Sequence, residues 1–313
     1  MKTFLIGLCV LLVGISGAVA LQRWKGVSVE EEKMRVVASF YPLAEWASRA
    51  GEELVNVHVL APAGIDPHTF EPTPRELALI YNASVFLFVG GGFEPWAERL
   101  EEDLKKRGVT VLEMEEYMEF FRVEEEEHEE EEEEHGHGAY DPHFWLDPTR
   151  AAEAVRLVGE TFSALDPDNT SAYEIQAAAY MTELEQLHHE YEQGLVSCAK
   201  NEIIVAHDAF RYMADRYGFD IIAIAGISPE EEPSLRRMGE LVLLAREKNI
   251  RYIFFETLAS TRLSETIAQE VGAQTLVLNP IEGLSAQEES EGHTYISLMR
   301  QNLTNLRLAL ECS

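Results

Sequence analysis

Residues 171–195 read SAYEIQAAAYMTELEQLHHEYEQGL. The run contains no proline, and its only glycine, Gly194, stands at its end, so nothing interrupts a long helix. Asn169, Thr170 or Ser171 can cap its start. On both sides of this helix the chain follows the same pattern. Upstream, MRVVASFYPL (34–43), EELVNVHVLAPAG (52–64) and ASVFLFVGGG (83–92) read as short buried strands. Helical patterns at 75–81, 94–107 and 149–165 accompany them. Downstream, EIIVAH (202–207), DIIAIAG (220–226), RYIFFE (251–256) and QTLVLN (274–279) are strands. Among them, DAFRYMADRYG (208–218) is a helix stopped by Gly218, SLRRMGELVLLAREKN (234–249) is another, and 293–310 is the last. Short β-branched runs alternating with helices indicate parallel sheets covered by helices. The expected fold is therefore α/β, with two lobes of parallel sheet, 35–168 and 198–313, joined by one long helix at 169–197.

A chain of 313 residues with 46% hydrophobic and 9% aromatic residues can bury a core in each half. The net charge of −31 argues against nucleic acid or anionic membrane as a partner and is compatible with cations. Residues 1–20 have the form of a targeting segment: Lys2, an apolar run, then the small-residue triplet Ala18-Val19-Ala20. Cleavage after Ala20 is expected, with retention as an N-terminal anchor the alternative, and 21–34 reads as a polar spacer. Either outcome places the remainder outside the cytoplasm. In that oxidising compartment Cys198 and Cys312 form an even pair, and a disulfide between them is expected. Cys9 lies inside the apolar run.

Ten histidines are present. His68 sits in GIDPHTFEPTP (64–74), His143 in DPHFWLDP (141–148), and His207 ends the strand EIIVAH. Ligands of open α/β sheets bind beyond the carboxyl ends of strands. His68 and His207, one from each half, can face one another there, and His143 can complete the set. Neutral imidazole is a favoured ligand of tetrahedral Zn²⁺. Pro67 and Pro142 each restrict the backbone directly before a histidine. The competing reading for each residue alone is a hydrogen-bonded core or cap histidine. His188 and His189 on the long helix read as solvated, His58 as a strand residue and His293 as a helix cap.

Six stretches in order, ASFYPLAEW, GIDPHTFEPTP, DPHFWLDP, VAHDAFRYMADRYGF, GISPEEEPS and FFETLAS, resemble the metal-binding solute receptors of ABC importers, the cluster 9 or A-I family. The zinc branch is the nearest. The resemblance runs from about residue 35 to 310. It implies two Rossmann-like α/β lobes on one long helix, a metal site between the lobes, and ligands at His68, His143 and His207. It also implies a membrane permease as partner and capture rather than catalysis. A histidine at position 207, where manganese members tend to carry glutamate, favours zinc. Many members have aspartate where this chain has Asn279 in VLNPIEGL (277–284). Asn279 is a poor Zn²⁺ ligand, so Glu282 is the expected fourth ligand, with water the alternative. Glu71, Glu256 and Asn279 are expected to support the ligands from behind or to be structural, Glu256 as a buried, paired acid. A monomer is expected.

Residues 124–138, EEEEHEEEEEEHGHG, hold ten glutamates and three histidines directly ahead of His143. They resemble the charged loop of the zinc branch. His128, His135 and His137 are candidate auxiliary metal ligands in a segment expected to be disordered and to gather cations. Three alternatives stand beside the zinc receptor: a manganese or iron receptor of the same family, a secreted zinc hydrolase, and an adhesin. Against the hydrolase, the chain has no H-E-x-x-H motif.

Overall fold

The computed structural model describes residues 33–122, 140–231 and 233–313. The expected targeting segment, all but the end of the spacer, and the acidic stretch with His128, His135 and His137 lie outside the described residues. Among the described residues, no helix is long and apolar enough to cross a membrane.

The first sheet contains β1 (Met34–Ala38), β2 (Val55–Val59), β3 (Val85–Phe88) and β4 (Thr110–Glu113), all parallel, in the order β2-β1-β3-β4. Helices α1 (Tyr41–Gly51), α2 (Pro74–Tyr81) and α3 (Pro95–Lys106) connect them. Each carries a proline in its first turn, where the missing N–H costs no helical bond. A short antiparallel ladder of β5 (Phe121–Arg122) and β6 (Tyr140–Asp141) follows. Next come α4 (Pro148–Leu165) and the long α5 (Thr170–Leu195).

The second sheet consists of β7 (Glu202–Val205), β8 (Asp220–Ala223), β9 (Tyr252–Phe255) and β10 (Gln274–Val277), again all parallel. Its order is β10-β9-β7-β8. Read from the β8 edge, this is second-first-third-fourth, the order of the first sheet, so the two lobes share one topology without a visible sequence repeat. Its helices are α6 (Arg211–Tyr217), α7 (Leu235–Glu247), α8 (Arg262–Val271), α9 (Ala286–Glu291) and α10 (Tyr295–Ala309).

Strand alternation divides the core. Val36, Ala38, Val85 and Leu87 from the first sheet and Ile203 and Val205 from the second join one cluster. That cluster also takes in Leu184, Leu187 and Tyr191 of α5 and Trp145. The opposite faces hold separate clusters, Val37, Phe86 and Phe88 in one lobe and Ile204 and Ile253 in the other. Burial on both faces explains why these strands read as continuous apolar runs. Gly159 lets α4 approach α5 closely: a Cβ there would lie 2.9 Å from Ala177 Cβ.

Helix starts differ in detail from expectation. Asn169 precedes α5, but its amide donates to Asp166 Oδ2 at 2.8 Å and caps nothing. A 3₁₀ turn, Pro167–Asn169, runs into the helix instead. The final helix is capped by Thr294 in a capping box, not by His293, whose Nδ1 meets Ser297 Oγ at 3.1 Å. The expected disulfide between Cys198 and Cys312 is present.

Candidate metal centre

Two copies of one local device begin the site. In Asp66-Pro67-His68, the Asp66 carboxylate accepts the His68 backbone N–H at 2.8 Å. In Asp141-Pro142-His143, Asp141 accepts the His143 backbone N–H at 3.0 Å. An aspartate bonding the N–H two residues on is an Asx turn, and the intervening proline fixes its φ. Asp141 also accepts from His143 Nδ1 at 2.8 Å, which leaves Nε2 facing inward. The 3₁₀ turn Phe144–Leu146 is fully buried and anchors His143 from the other side.

His207 lies two residues beyond β7. Glu256 lies one residue beyond the adjacent strand β9, so sheet register places the two together. The Glu256 carboxylate takes His207 Nδ1 at 2.7 and 2.8 Å and the His207 backbone N–H at 3.2 Å. His68 stands farther from its strand than expected, in a 3₁₀ turn at the far end of the loop that follows β2.

Glu282 sits on a tight turn that its neighbours enforce. Asn279 Oδ1 accepts Ile281 N–H at 2.8 Å and its amide donates to Glu288 at 2.9 Å. Asn302 clamps the Asn279 backbone at 2.8 and 2.7 Å. Trp145 Nε1 donates to the Pro280 carbonyl at 2.8 Å. Within this frame Ile281 is held at φ 55°, a conformation that a β-branched residue adopts only under constraint.

The four side chains converge. Glu282 Oε1 lies 3.2 Å from His68 Nε2 and 3.3 Å from both His143 Nε2 and His207 Nε2. The His143 and His207 Nε2 atoms are 3.4 Å apart. One ligand atom from each residue lies within 4.8 Å of every other. His143, His207 and Glu282 are buried, and His68 is the partly exposed member. Two of the four come from the first half of the chain and two from the second.

Electrostatics couple the group tightly. Burial alone would raise the Glu282 pKa, but the charges of His68 and His207, with hydrogen bonds from His143 and His207, hold it well below the usual carboxylate range. Burial disfavours a charged His207, yet Glu256 and Glu282 hold its pKa well above 6.5. His143 is raised too, its bonds to Asp141 and Glu282 outweighing burial.

A cleft of about 870 Å³ opens onto His68, with Phe93, Tyr140, Glu98, Glu113 and Glu115 in its wall. The acidic stretch leaves the described structure at Arg122 and returns at Tyr140, paired residues of the β5–β6 ladder. Of the expected supporting residues, Glu256 and Asn279 stand against the cluster as described. Glu71 is exposed and, among the described residues, makes no hydrogen bond to any of the four. Asp141 was not singled out from sequence, although the repeated Asp-Pro-His triplet is a signal for it. His188 is half-buried rather than solvated, with Nδ1 3.1 Å from Tyr217 Oη.

Comparison with known proteins identifies the family. Residues 36–309 match the family described as "ZnuA: Zinc-uptake complex component A periplasmic". The chain is 35% identical over 316 residues to the high-affinity zinc uptake system protein ZnuA of Bacillus subtilis, covering 98% of this chain and 96% of that protein. It is 36% identical over 277 residues to the zinc-binding lipoprotein AdcA of Streptococcus pneumoniae, covering 88% of this chain but only 55% of AdcA. The crystal structure of the Zn(II)-bound ZnuA-like domain of that AdcA superposes with a TM-score of 0.77 at 34% identity, over 89% of this chain and 99% of the domain. With two matching lobes, one long helix and a match over nearly the whole described body, the chain belongs to the ZnuA family of zinc-uptake solute-binding proteins.

Proposed function

We propose that this chain is an extracytoplasmic receptor that captures one Zn²⁺ between its lobes and delivers it to an ABC-type membrane permease. His68, His143, His207 and Glu282 are its ligands. The spacing of their donor atoms carries this reading. A tetrahedral zinc shell with bonds of about 2.0–2.1 Å has edges of about 3.3–3.4 Å between ligand atoms. The four closest spacings are 3.2, 3.3, 3.3 and 3.4 Å. Asp141 and Glu256 orient two of the imidazoles by their other nitrogens, the usual support for a ligating histidine. Three imidazoles and one carboxylate suit Zn²⁺ better than Mn²⁺, which favours oxygen-rich shells. The work is capture rather than catalysis: a shell closed by four protein ligands leaves no open position for a reacting water.

The acidic stretch 124–138 is part of this reading. Tyr140, the described residue that follows it, lines the cleft that opens onto His68, where histidines and glutamates would raise the local concentration of cations.

The test is competitive titration calorimetry of chelator-treated protein with Zn²⁺ and Mn²⁺. The expected result is one tight Zn²⁺ site that survives deletion of 124–138, is lost or greatly weakened in His207→Ala, and prefers Zn²⁺ strongly. Equal binding of Mn²⁺ would overturn the specificity. Disappearance of tight binding with the loop would overturn the site itself.

A further inference from the structure

Outside this centre, the described residues hold a second cluster with histidine ligands. His188, His189 and Glu192 lie on α5 with one ligand atom of each within 4.8 Å of the others. We propose that these three residues form a second, weaker divalent-cation site on the linking helix, selective for borderline ions such as Zn²⁺ over hard ions such as Mn²⁺.

Helix geometry brings the residues together. His188 and Glu192 are separated by four positions and His189 and Glu192 by three, so both histidines reach the same carboxylate from one face. His188 Nε2 lies 3.4 Å from Glu192 Oε1, and His189 Nδ1 lies 2.9 Å from Glu192 Oε2. The hydrogen bond from His189 is the first reason that the Glu192 pKa lies below the ordinary carboxylate value. Arg216, whose charge also reaches Glu192, is engaged by Asp147 at 2.8 Å.

A second, independent feature distinguishes this cluster from an ordinary surface pair. His188 is only 18% exposed at its side chain, and its Nδ1 meets Tyr217 Oη at 3.1 Å. Tyr217 ends α6, in the second lobe, and stacks on Tyr191 of α5. With Nδ1 protonated and donating to the tyrosine oxygen, Nε2 carries the free lone pair, and Nε2 is the atom that faces Glu192. In that tautomer the bond to Tyr217 is of the kind that orients the ring of a ligating histidine. His189 and Glu192 are 58% and 52% exposed, so an ion reaches the site from solvent and water completes its shell. Two imidazoles and one carboxylate are a borderline donor set, poorly matched to Mn²⁺ or Mg²⁺. An ion held there ties α5 to α6 through the His188–Tyr217 bond.

The test is a Zn²⁺ titration by calorimetry on the full chain carrying His128→Ala, His135→Ala and His137→Ala, which silences the histidines of the acidic stretch. Long-range ¹H–¹⁵N spectra of the histidine rings run alongside it. The expected result is a tight class followed by one weaker site, whose filling shifts His188 Nε2. His189→Ala and Glu192→Ala each remove the weaker site and leave the tight class. Alanine at these exposed helical positions preserves the fold. Tyr217→Phe keeps the stacked ring, leaves the tight class in place and weakens the second site about tenfold. Mn²⁺ fills no second site. The proposal is overturned by a weaker site that is absent from the background protein, survives either alanine substitution, ignores Tyr217→Phe, or accepts Mn²⁺ equally.

Discussion

At the scale of single residues, the centre rests on side chains that do not themselves reach the ligand position. Glu256 holds His207 through Nδ1 and the backbone at once. Glu256→Gln keeps the size and one acceptor but loses the charge that favours a strongly basic Nε2. The expected cost is about 10–100-fold in Zn²⁺ affinity with unchanged stoichiometry, measured by competition with a chelator of known affinity. Unchanged affinity would show that Glu256 only packs. Protons compete for the same atoms. In the metal-free protein, His207 and His143 have pKa values raised above 6.5, so their contribution to stability is full below that pH and is lost as pH rises through the folded values. Glu282, depressed below 4.5, contributes above that pH and loses its contribution as pH falls through the folded value. The metal-free form therefore gains most from this cluster between about pH 4.5 and 6.5. Zinc needs neutral imidazoles and reverses the trend. The difference in Tm between loaded and metal-free protein should widen from pH 5.5 to 8. The binding enthalpy should also vary with the buffer's ionisation heat, reporting proton release. A flat profile in both would mean that the histidines are already neutral before the ion arrives.

At the scale of elements, the strands and the long helix were legible because each is a buried apolar run or an uninterrupted helical one. Helix α8, the short α9, strand β4 and the β5–β6 ladder were not read. They are short or polar, and two-residue strands carry no periodicity. His68, His143 and His207 stood out through proline neighbours or a strand end. Glu282 was reached only through a family resemblance, because its placement depends on a turn built by distant partners. Asn302 of α10, Glu288 of α9 and Trp145 all converge on residues 279–281. No local pattern encodes such a convergence. The turn can be tested directly. Asn279→Ala removes the acceptor for Ile281 N–H and the donor to Glu288, leaving a buried N–H unpaired at a cost of about 1–3 kcal/mol. Because φ at Ile281 is then less constrained, Glu282 loses its aim. The expected outcome is lower stability together with weaker Zn²⁺ binding, read by denaturant unfolding and chelator competition. Lower stability with unchanged affinity would separate the turn from the site.

At the scale of the whole molecule, the site and the disulfide occupy opposite ends of the second sheet. Cys198 precedes β7 at its amino end, whereas His207 follows its carboxyl end. The bridge to Cys312 spans 114 residues and closes the second lobe into a ring. A Cys198→Ser, Cys312→Ser variant is therefore expected to lose about 2–4 kcal/mol, or roughly 5–15 °C in Tm, while its Zn²⁺ affinity stays unchanged. A fall in affinity would show that the ring transmits to the cleft.

The same scale decides how the lobes respond to zinc. A wide hinge needs lobes with separate cores and a flexible joint. Here one apolar cluster runs through both lobes along α5. Polar ties cross it as well: Tyr212 Oη donates to the Asp141 carbonyl at 2.7 Å, Arg216 pairs with Asp147 at 2.8 Å, and Tyr295 Oη donates to the Trp145 carbonyl. Opening by a large rotation would expose this cluster and break those bonds together. The accessible motion is local instead, and His68 is its natural seat: it is the partly exposed member of the cluster and stands on a long loop rather than at a strand end. Solution scattering of the metal-free and loaded protein should therefore give radii of gyration that agree within about 1 Å. Hydrogen exchange should meanwhile slow mainly around residues 64–70 when zinc binds. A larger compaction, or protection spread over both lobes, would mean that the shared core parts in the metal-free protein and that α5 acts as a hinge.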